Sequence, residues 1–565
     1  MWYTEVIVRC LLLALVFSLA VAAEDRWVIV KSGPFEVYSA AGEKPARERL
    51  NDLEQFREGF ANTIGKKDLK LVWPLRLLIY KKQAPVPAGQ IAMGRDAYLA
   101  ALPENSSLPP QMQKELARLF LDQNTNRLPE TIENGLITLF STLQISGTHI
   151  TLGTPVAPNE RTRDWARMHL LTVDPAFSGR TRVMISNLEQ SADLDAADHN
   201  AFEKTPAQIE KQVDEYAKAG QYGTTMVSGR ALNPLRDFHV MPLESDASRL
   251  AHADLLLASN QAAQARTEYM ALHGAEAAEG LGLIALKEGN KEEARRLFLS
   301  AADSGSKNAG MWLKLALLET DASKSRTDLH KAADLNAEWA EPWRQLANFD
   351  SNPAQKIADL KQATKLDRRN IDYWQELAHV ATAANQFGDA AKAWSGAERA
   401  AGNEQERARV RAERLKIEGE RADFEAAGRK RLAEEQAREI ERVKQQNLSE
   451  IHAAEDAARK KMNADGKPVP TATIWMDEMN GTGKVDGVLQ RFDCVGRLAR
   501  LVIQTDDGKT TQLAVRDPAK VAISGGEKMM SCGVQKPARR VSVQFVVQPD
   551  KKLGTAGDAT VIELH

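Results

Sequence analysis

A bulky residue, a leucine and an alanine recur in fixed order through the middle of the chain. They appear as Trp312-x-x-Leu315-Ala316, Trp343-x-x-Leu346-Ala347 and Trp374-x-x-Leu377-Ala378, at an interval of 31 residues. The pattern also occurs 34 residues before the first of these as Ala278, Leu281 and Gly282, and a weaker copy before that keeps Leu250 and Ala251. Spacings of i, i+3 and i+4 place the three residues on one face of a helix. An Ala-rich second helix follows the clearer copies, with Ala294, Phe298 and Ala301 in one unit and Ala390, Trp394 and Ala397 in another. A single helical hairpin cannot bury its own apolar face, so units with such a period must stack on one another. The region from about Ser245 to Gly402 is therefore expected to be an α-helical solenoid of five hairpins, which an aromatic content of only 6% also suits.

This pattern resembles the tetratricopeptide repeat (TPR), in which a bulky residue, Leu and a small residue mark the first helix and Ala, an aromatic and Ala the second. The usual period is about 34 residues, so trimmed turns are expected in the shorter units. The resemblance implies a concave groove, lined by the first helices, that binds extended polypeptide. The groove positions it implies here are Leu313, Arg344 and Gln375, with Leu317, Asn348 and His379 one turn further along. The first of these repeats offers leucines, the next two polar groups.

With 565 residues the chain is too long for one hydrophobic core. Its charges nearly cancel, 75 Lys+Arg against 77 Asp+Glu, so no global field draws it to nucleic acid or anionic lipid. Arg9 and the apolar run from Leu11 to Ala23 read as a secretory signal over residues 1–23, cut near Ala22 or Ala23. The expected location is periplasmic or extracellular, with no stable membrane span after cleavage. Cleavage would remove Cys10 and leave Cys494 and Cys532, the two cysteines of a small exported domain, to form a disulfide.

Four regions follow the leader. Residues 24–243 alternate strand and helix signals and are expected to form an α+β domain. Val28–Val30 and Phe35–Tyr38 read as paired strands, Ala46–Ile64 and Gln111–Asn124 as helices, and Leu75–Tyr80 as a strand. Residues 245–402 are the solenoid. Residues 403–463 lack proline, carry dense charge of both signs and read as a helical spacer; Val410, Ile417 and Phe424 keep a heptad, which leaves a coiled coil open as the alternative. Residues 470–565 turn β-rich, with a hairpin around Asp506-Asp-Gly508, and are expected to close a small barrel or sandwich.

The first domain also carries the sequence Lys114-Glu-Leu-Ala-Arg118, followed by Leu128-Pro-Glu-Thr-Ile-Glu-Asn134-Gly135. The order of these parts resembles the peptidase-MA-like zinc proteases found in exported TPR proteins, and implies a zincin-like head. Those enzymes place two His one turn apart on a helix, with a Glu between them that activates the metal-bound water. Here Lys114 and Arg118 stand where the imidazoles belong, Asn134 stands at the glutamate position, and only Glu115 remains. Two cations would repel Zn²⁺. Glu133 is one residue away from the ligand position, which rotates it by about 100° on a helix. No catalytic residue, metal or cofactor is expected.

The resulting expectation is an exported, non-enzymatic scaffold that binds a protein or peptide through the TPR groove, with a peptidase-like domain that has lost its zinc site. Two alternatives stand beside it: a metallopeptidase with substituted ligands, and an envelope assembly factor whose β-domain binds glycan or a subunit. The sequence leaves the oligomeric state open.

Overall fold

The computed structural model describes residues 26–177, 179–190, 193–465, 482–495, 498–517, 521–525 and 532–565. The expected leader over residues 1–23 lies outside them. One compact unit runs through Leu432 and a second begins at Ala433.

In the first unit, β1 (Val28–Ser32) and β2 (Phe35–Ser39) form the expected hairpin, in register from Val28↔Ser39 to Ser32↔Phe35. Helix α1 (Glu43–Ile64) crosses to β3 (Leu75–Tyr80), which lies parallel to β2. Next come β4 (Ala92–Met93), β5 (Tyr98–Pro103), α2 (Pro110–Asn124), α3 (Glu130–Phe140), β6 (Gln144–Ser146) and β7 (His149–Leu152). The chain continues through α4 (Arg163–Val173), α5 (Thr181–Glu189), α6 (Leu194–Phe202), α7 (Pro206–Ala219), β8 (Thr225–Ser228), α8 (Pro234–Asp237) and β9 (Val240–Pro242). The main sheet has the order β4-β5-β3-β2-β1-β9, and β6-β7-β8 form a smaller one.

Alternation along the main strands divides the sheet into two apolar faces. Val30, Val37, Leu77, Ile79, Ala100 and Leu102 face a core shared with Leu53, Phe56, Phe60, Phe120 and Phe140. Ile29, Tyr38, Leu78, Leu99 and Ala101 face the other way, onto Ala251 and Leu255. Those two residues belong to the solenoid, so the head and the first repeat share a core.

The solenoid has the five expected hairpins. They are α9 (Ser245–Ala258) with α10 (Ala262–Met270), α11 (Ala275–Lys287) with α12 (Lys291–Asp303), α13 (Ala309–Leu318) with α14 (Ala322–Leu335), α15 (Glu341–Phe349) with α16 (Pro353–Leu366), and α17 (Ile371–Ala383) with α18 (Phe387–Ala400). The shortening of the 31-residue units is not in the turns. Three residues separate the two helices in the short and the long units alike, whereas α13 and α15 have 10 and 9 residues against 13 in α11 and α17. Side chains of Asn290, Asp321 and Asn352 accept hydrogen bonds from the first backbone N–H groups of the following helices, so the turns are already at a capped minimum and the first helix loses the length.

Helix α19 (Glu404–Asp465) spans 62 residues. Its heptad residues cover the end of the solenoid: Val410 and Ile417 are buried among Leu377, Ala381 and Trp394, and the Phe424 ring lies 5.1 Å from that of Phe387. This is the cap an open repeat array requires. It accounts for these three positions without a second helix.

In the second unit, β10 (Thr482–Val495), β11 (Leu498–Thr505), β12 (Thr510–Val515), β13 (Ala522–Ser524), β14 (Gly533–Asp550) and β15 (Thr555–Leu564) make one sheet. Its order β12-β11-β10-β14-β15 closes on itself, because β12 pairs parallel with β15 through Leu513↔Gly557 and Ala514↔Asp558. The domain is thus a five-stranded barrel with β13 added along β15, filled by Leu489, Leu501, Ile503, Leu513, Val543 and Ile562.

Candidate functional site

The peptidase-like positions lie on α2 and α3, which pack against each other in the head. Lys114 is engaged by Glu160, Nζ to Oε1 at 2.6 Å. Arg118 reaches Glu115 at 3.5 Å along the same helix, and Glu115 also accepts a hydrogen bond from Gln111 at 3.0 Å. Asn134 is exposed on α3 and bonds to Asp164 of α4; burial, with Glu130 adding to it, lifts the Asp164 carboxyl above its ordinary range while Asn134 opposes the rise. The two helices α3 and α4 approach so closely that a Cβ on Gly135 would lie 2.4 Å from the Asp164 carbonyl oxygen. The fold thus brings Arg118 and Asn134 to one cavity of about 270 Å³, lined also by Arg127, Glu130 and Glu133.

The residues at the ligand positions do not fit zinc. An ammonium and a guanidinium offer no lone pair to a metal, and a neutral carboxamide supplies no charge to offset theirs. Among the described residues, no group of three or more His, Cys, Asp or Glu is arranged to hold a metal ion.

Glu133 has a different role, one that the sequence did not show. It is buried, accepts the Leu128 backbone N–H at 2.8 Å, and both its carboxylate oxygens accept from one nitrogen, Nη2, of Arg369 in the solenoid, at 2.6 and 2.7 Å. Arg369 also meets Thr125 at 3.3 Å and Asp122 at 3.2 Å. A second clamp centres on Arg95, which is 7% exposed and pairs with Asp254 of α9 and Glu279 of α11. Asn308 completes it by donating to Glu279 at 2.9 Å and to the Arg95 carbonyl at 3.2 Å. Between the clamps, the rings of Trp73 and Trp339 meet edge to face at 5.1 Å, and Asn336 donates to the Val72 carbonyl at 3.0 Å.

These contacts decide which groove positions remain open. Glu279 follows Ala278 as Leu313 follows Trp312, so it holds the equivalent place in its repeat, and Arg95 of the head fills it. Leu313 is 6% exposed and packs in the solenoid core, so it is a packing residue and not a groove residue. Leu317, one turn on, is 49% exposed. In the last two repeats the surface is polar and accessible. Arg344 is half-buried and bridges Glu341 at 3.3 Å and Glu376 at 3.5 Å, linking α15 to α17. Asn348 is exposed and donates to Gln345 at 3.2 Å; Gln375 is half-buried; His379 is exposed, its ring 5.2 Å from Trp394. The Tyr373 hydroxyl donates to Glu341 at 2.6 Å, a further tie between the two first helices.

In the second unit, Cys494 and Cys532 are joined by the expected disulfide, with their Cα atoms 5.7 Å apart. It ties the end of β10 to the start of β14. Among the described residues no helix is long and apolar enough to cross a membrane.

No protein-family model matches the chain, and no curated protein matches it. Among solved structures, YrrB, a TPR protein with an unusual peptide-binding site, is similar over 29% of this chain and 90% of its own length, at 16% identity and a TM-score of 0.25. The PilF protein of Pseudomonas aeruginosa covers 32% of this chain and 87% of its own, at 17% identity and a TM-score of 0.27. A thermophilic TPR protein of Thermus thermophilus covers 31% and 98%, at 16% identity and a TM-score of 0.23. Likenesses at this level carry no argument about function. The TPR-type architecture of the solenoid rests on its own recurrence and on the packing of its five hairpins.

Proposed function

We propose that the chain is a non-catalytic binding protein of an oxidising, extracytoplasmic compartment, and that the first helices of its last two repeats hold an extended polypeptide. The observation that carries this reading is the division of the concave positions. The head occupies the equivalent place in the second repeat through Arg95 and Glu279, while Arg344, Asn348, Gln375 and His379 stay at the surface of α15 and α17. Side-chain amides and an imidazole on rigid helices suit hydrogen bonds to backbone and side chains of an extended segment, where several modest contacts sum.

On this reading the head descends from a zincin-like peptidase and acts now as a fixed wall of the binding surface. Its cation pair Lys114 and Arg118 is the chemical reason for excluding zinc, and the paired Cys494 and Cys532 together with the apolar leader support export.

The test is titration of the full chain with unstructured polypeptide, alongside a variant carrying Arg344→Ala, Asn348→Ala and His379→Ala. Alanine is preferred to glutamate at 344 because Glu341 and Glu376 already flank it. A loss of about tenfold or more in affinity with unchanged helical circular dichroism is expected. Undiminished binding by the variant would overturn the groove assignment. Proteolysis that depends on about one zinc per chain and is lost in Glu115→Gln would overturn the non-catalytic reading.

A further inference from the structure

Between the two clamps that join head and solenoid lies an open cleft of about 600 Å³, within the range of pockets that take a ligand. Its position is fixed from both ends. Trp73, Trp339 and the Asn336 bond hold one, and the Arg369–Glu133 pair holds the other. The cleft is therefore preformed.

Two kinds of side chain dominate its walls. Aromatic surface comes from Tyr98 and Trp73 of the head and from Trp339 and Tyr373 of the solenoid. Carboxylates come from Asp122, Glu338, Glu341 and Asp367. The cations in the lining are Arg127 and Arg369; both pair with Glu133, at 3.6 Å and 2.6 Å, and Arg369 also reaches Asp122 at 3.2 Å. Glu338 is 59% exposed and its partner Lys70 lies 3.4 Å away on the surface; Asp122 is 45% exposed. Burial raises the Asp367 carboxyl above its ordinary range, and Asp122 adds to the rise against the hydrogen bonds from Arg369 and Asn370. The lining thus sets four carboxylates against two guanidiniums beside aromatic faces. Three of the carboxylates are paired, with Arg369, Lys70 and Arg344 at 3.2, 3.4 and 3.3 Å. Such a site attracts an alkylammonium or guanidinium on an apolar stem that can share or exchange these partners.

The cleft is continuous with the groove. Glu341 lines the cleft and also contacts Arg344, and Tyr373 lines it while bonding to Glu341 across from α17. We propose that this cleft receives the basic part of the bound polypeptide, a Lys- or Arg-bearing extended stretch whose side chains lie against the aromatic walls and end at the carboxylates. The proposal rests on the polypeptide-binding reading above and adds to it the charge of the partner and the place where that charge is read.

Fluorescence anisotropy with the full chain tests it, using a labelled peptide of repeated Lys-Ala-Pro units and its Glu-Ala-Pro counterpart, both extended by their proline content. The basic peptide is expected to bind about tenfold tighter or better, and the preference to shrink with added salt. The variant Asp122→Asn with Glu338→Gln changes two solvent-facing carboxylates and should abolish the preference while the helical signal stays. The groove variant Asn348→Ala with His379→Ala, which leaves the Arg344–Glu341 pair in place, should weaken both peptides and keep the preference. Equal affinity for the two peptides, or a preference unchanged in the cleft variant, would overturn the cleft assignment while the polypeptide reading stands. Full displacement of the basic peptide by spermidine at matched charge would make the ligand a free polyamine and overturn it as well. Binding of neither peptide would remove both readings together.

Discussion

Glu133 shows how far a single residue can depart from the role its neighbours suggest. It sits one place before the glutamate position of the peptidase-like signature, and its carboxylate is taken by Arg369 across the junction of head and solenoid. Removing the cation from a buried pair leaves an uncompensated charge, so Arg369→Met should destabilise the first unit by about 3 kcal/mol, somewhat relieved by Arg127 at 3.6 Å. Chemical denaturation is the measurement, and a loss below about 1 kcal/mol would show that the clamp is ornamental. Asp359 offers a pH-dependent case. Burial, with a hydrogen bond to Asp350, raises its carboxyl from 3.8 to about 6, and Gln355 donates to it at 3.0 Å. The folded state therefore holds this proton more tightly than the unfolded chain, and the contribution to stability falls as pH rises from about 4 to about 6. Asparagine keeps both hydrogen bonds without the charge. Asp359→Asn should equal the parent near pH 4 and exceed it by about 1–2 kcal/mol above pH 6. A stability difference that does not change over this range would refute the assignment. Neither role was legible in the sequence, because each depends on a partner from a distant element.

At the scale of elements, local signals are legible wherever periodicity carries them. Helices α1, α2 and the five hairpins follow from their apolar spacing, and the turn at Gly508, with φ of 82°, joins β11 to β12 as its Asp-Asp-Gly sequence implies. The seat of the shortening in the 31-residue units is not legible, since a period reports the sum of helix and turn and not its division. The heptad of Val410, Ile417 and Phe424 is also ambiguous, because a cap on a solenoid and a two-stranded coil demand the same spacing. The cysteine pair is legible from its number and from the expectation of export that the apolar leader sequence raises. The pair closes a separation of 38 residues within the barrel, so reduction should lower the barrel's stability by about 4 kcal/mol on the chain-entropy model. A thermal transition of the second unit that is the same with and without reductant would contradict this, and Cys494→Ser with Cys532→Ser should reproduce the reduced behaviour.

For the molecule as a whole, what the sequence could not supply was which groove positions the head would occupy. Residues of the same repeat position diverge entirely in fate: Glu279 is clamped by Arg95, Leu313 is buried, and Arg344 and Gln375 keep solvent access. Excising the head would expose Ala251 and Leu255, which share its second core, so truncation cannot isolate the groove. Point probes can. The most direct test places a photo-crosslinking amino acid at His379 in the groove or, separately, at Lys114, which lies on the peptidase-like helix two turns from the cleft residue Asp122, and irradiates each full chain in the presence of bound polypeptide. The account predicts crosslinks from His379 and none above background from Lys114. Crosslinks from Lys114 alone would place recognition in the head and contradict it.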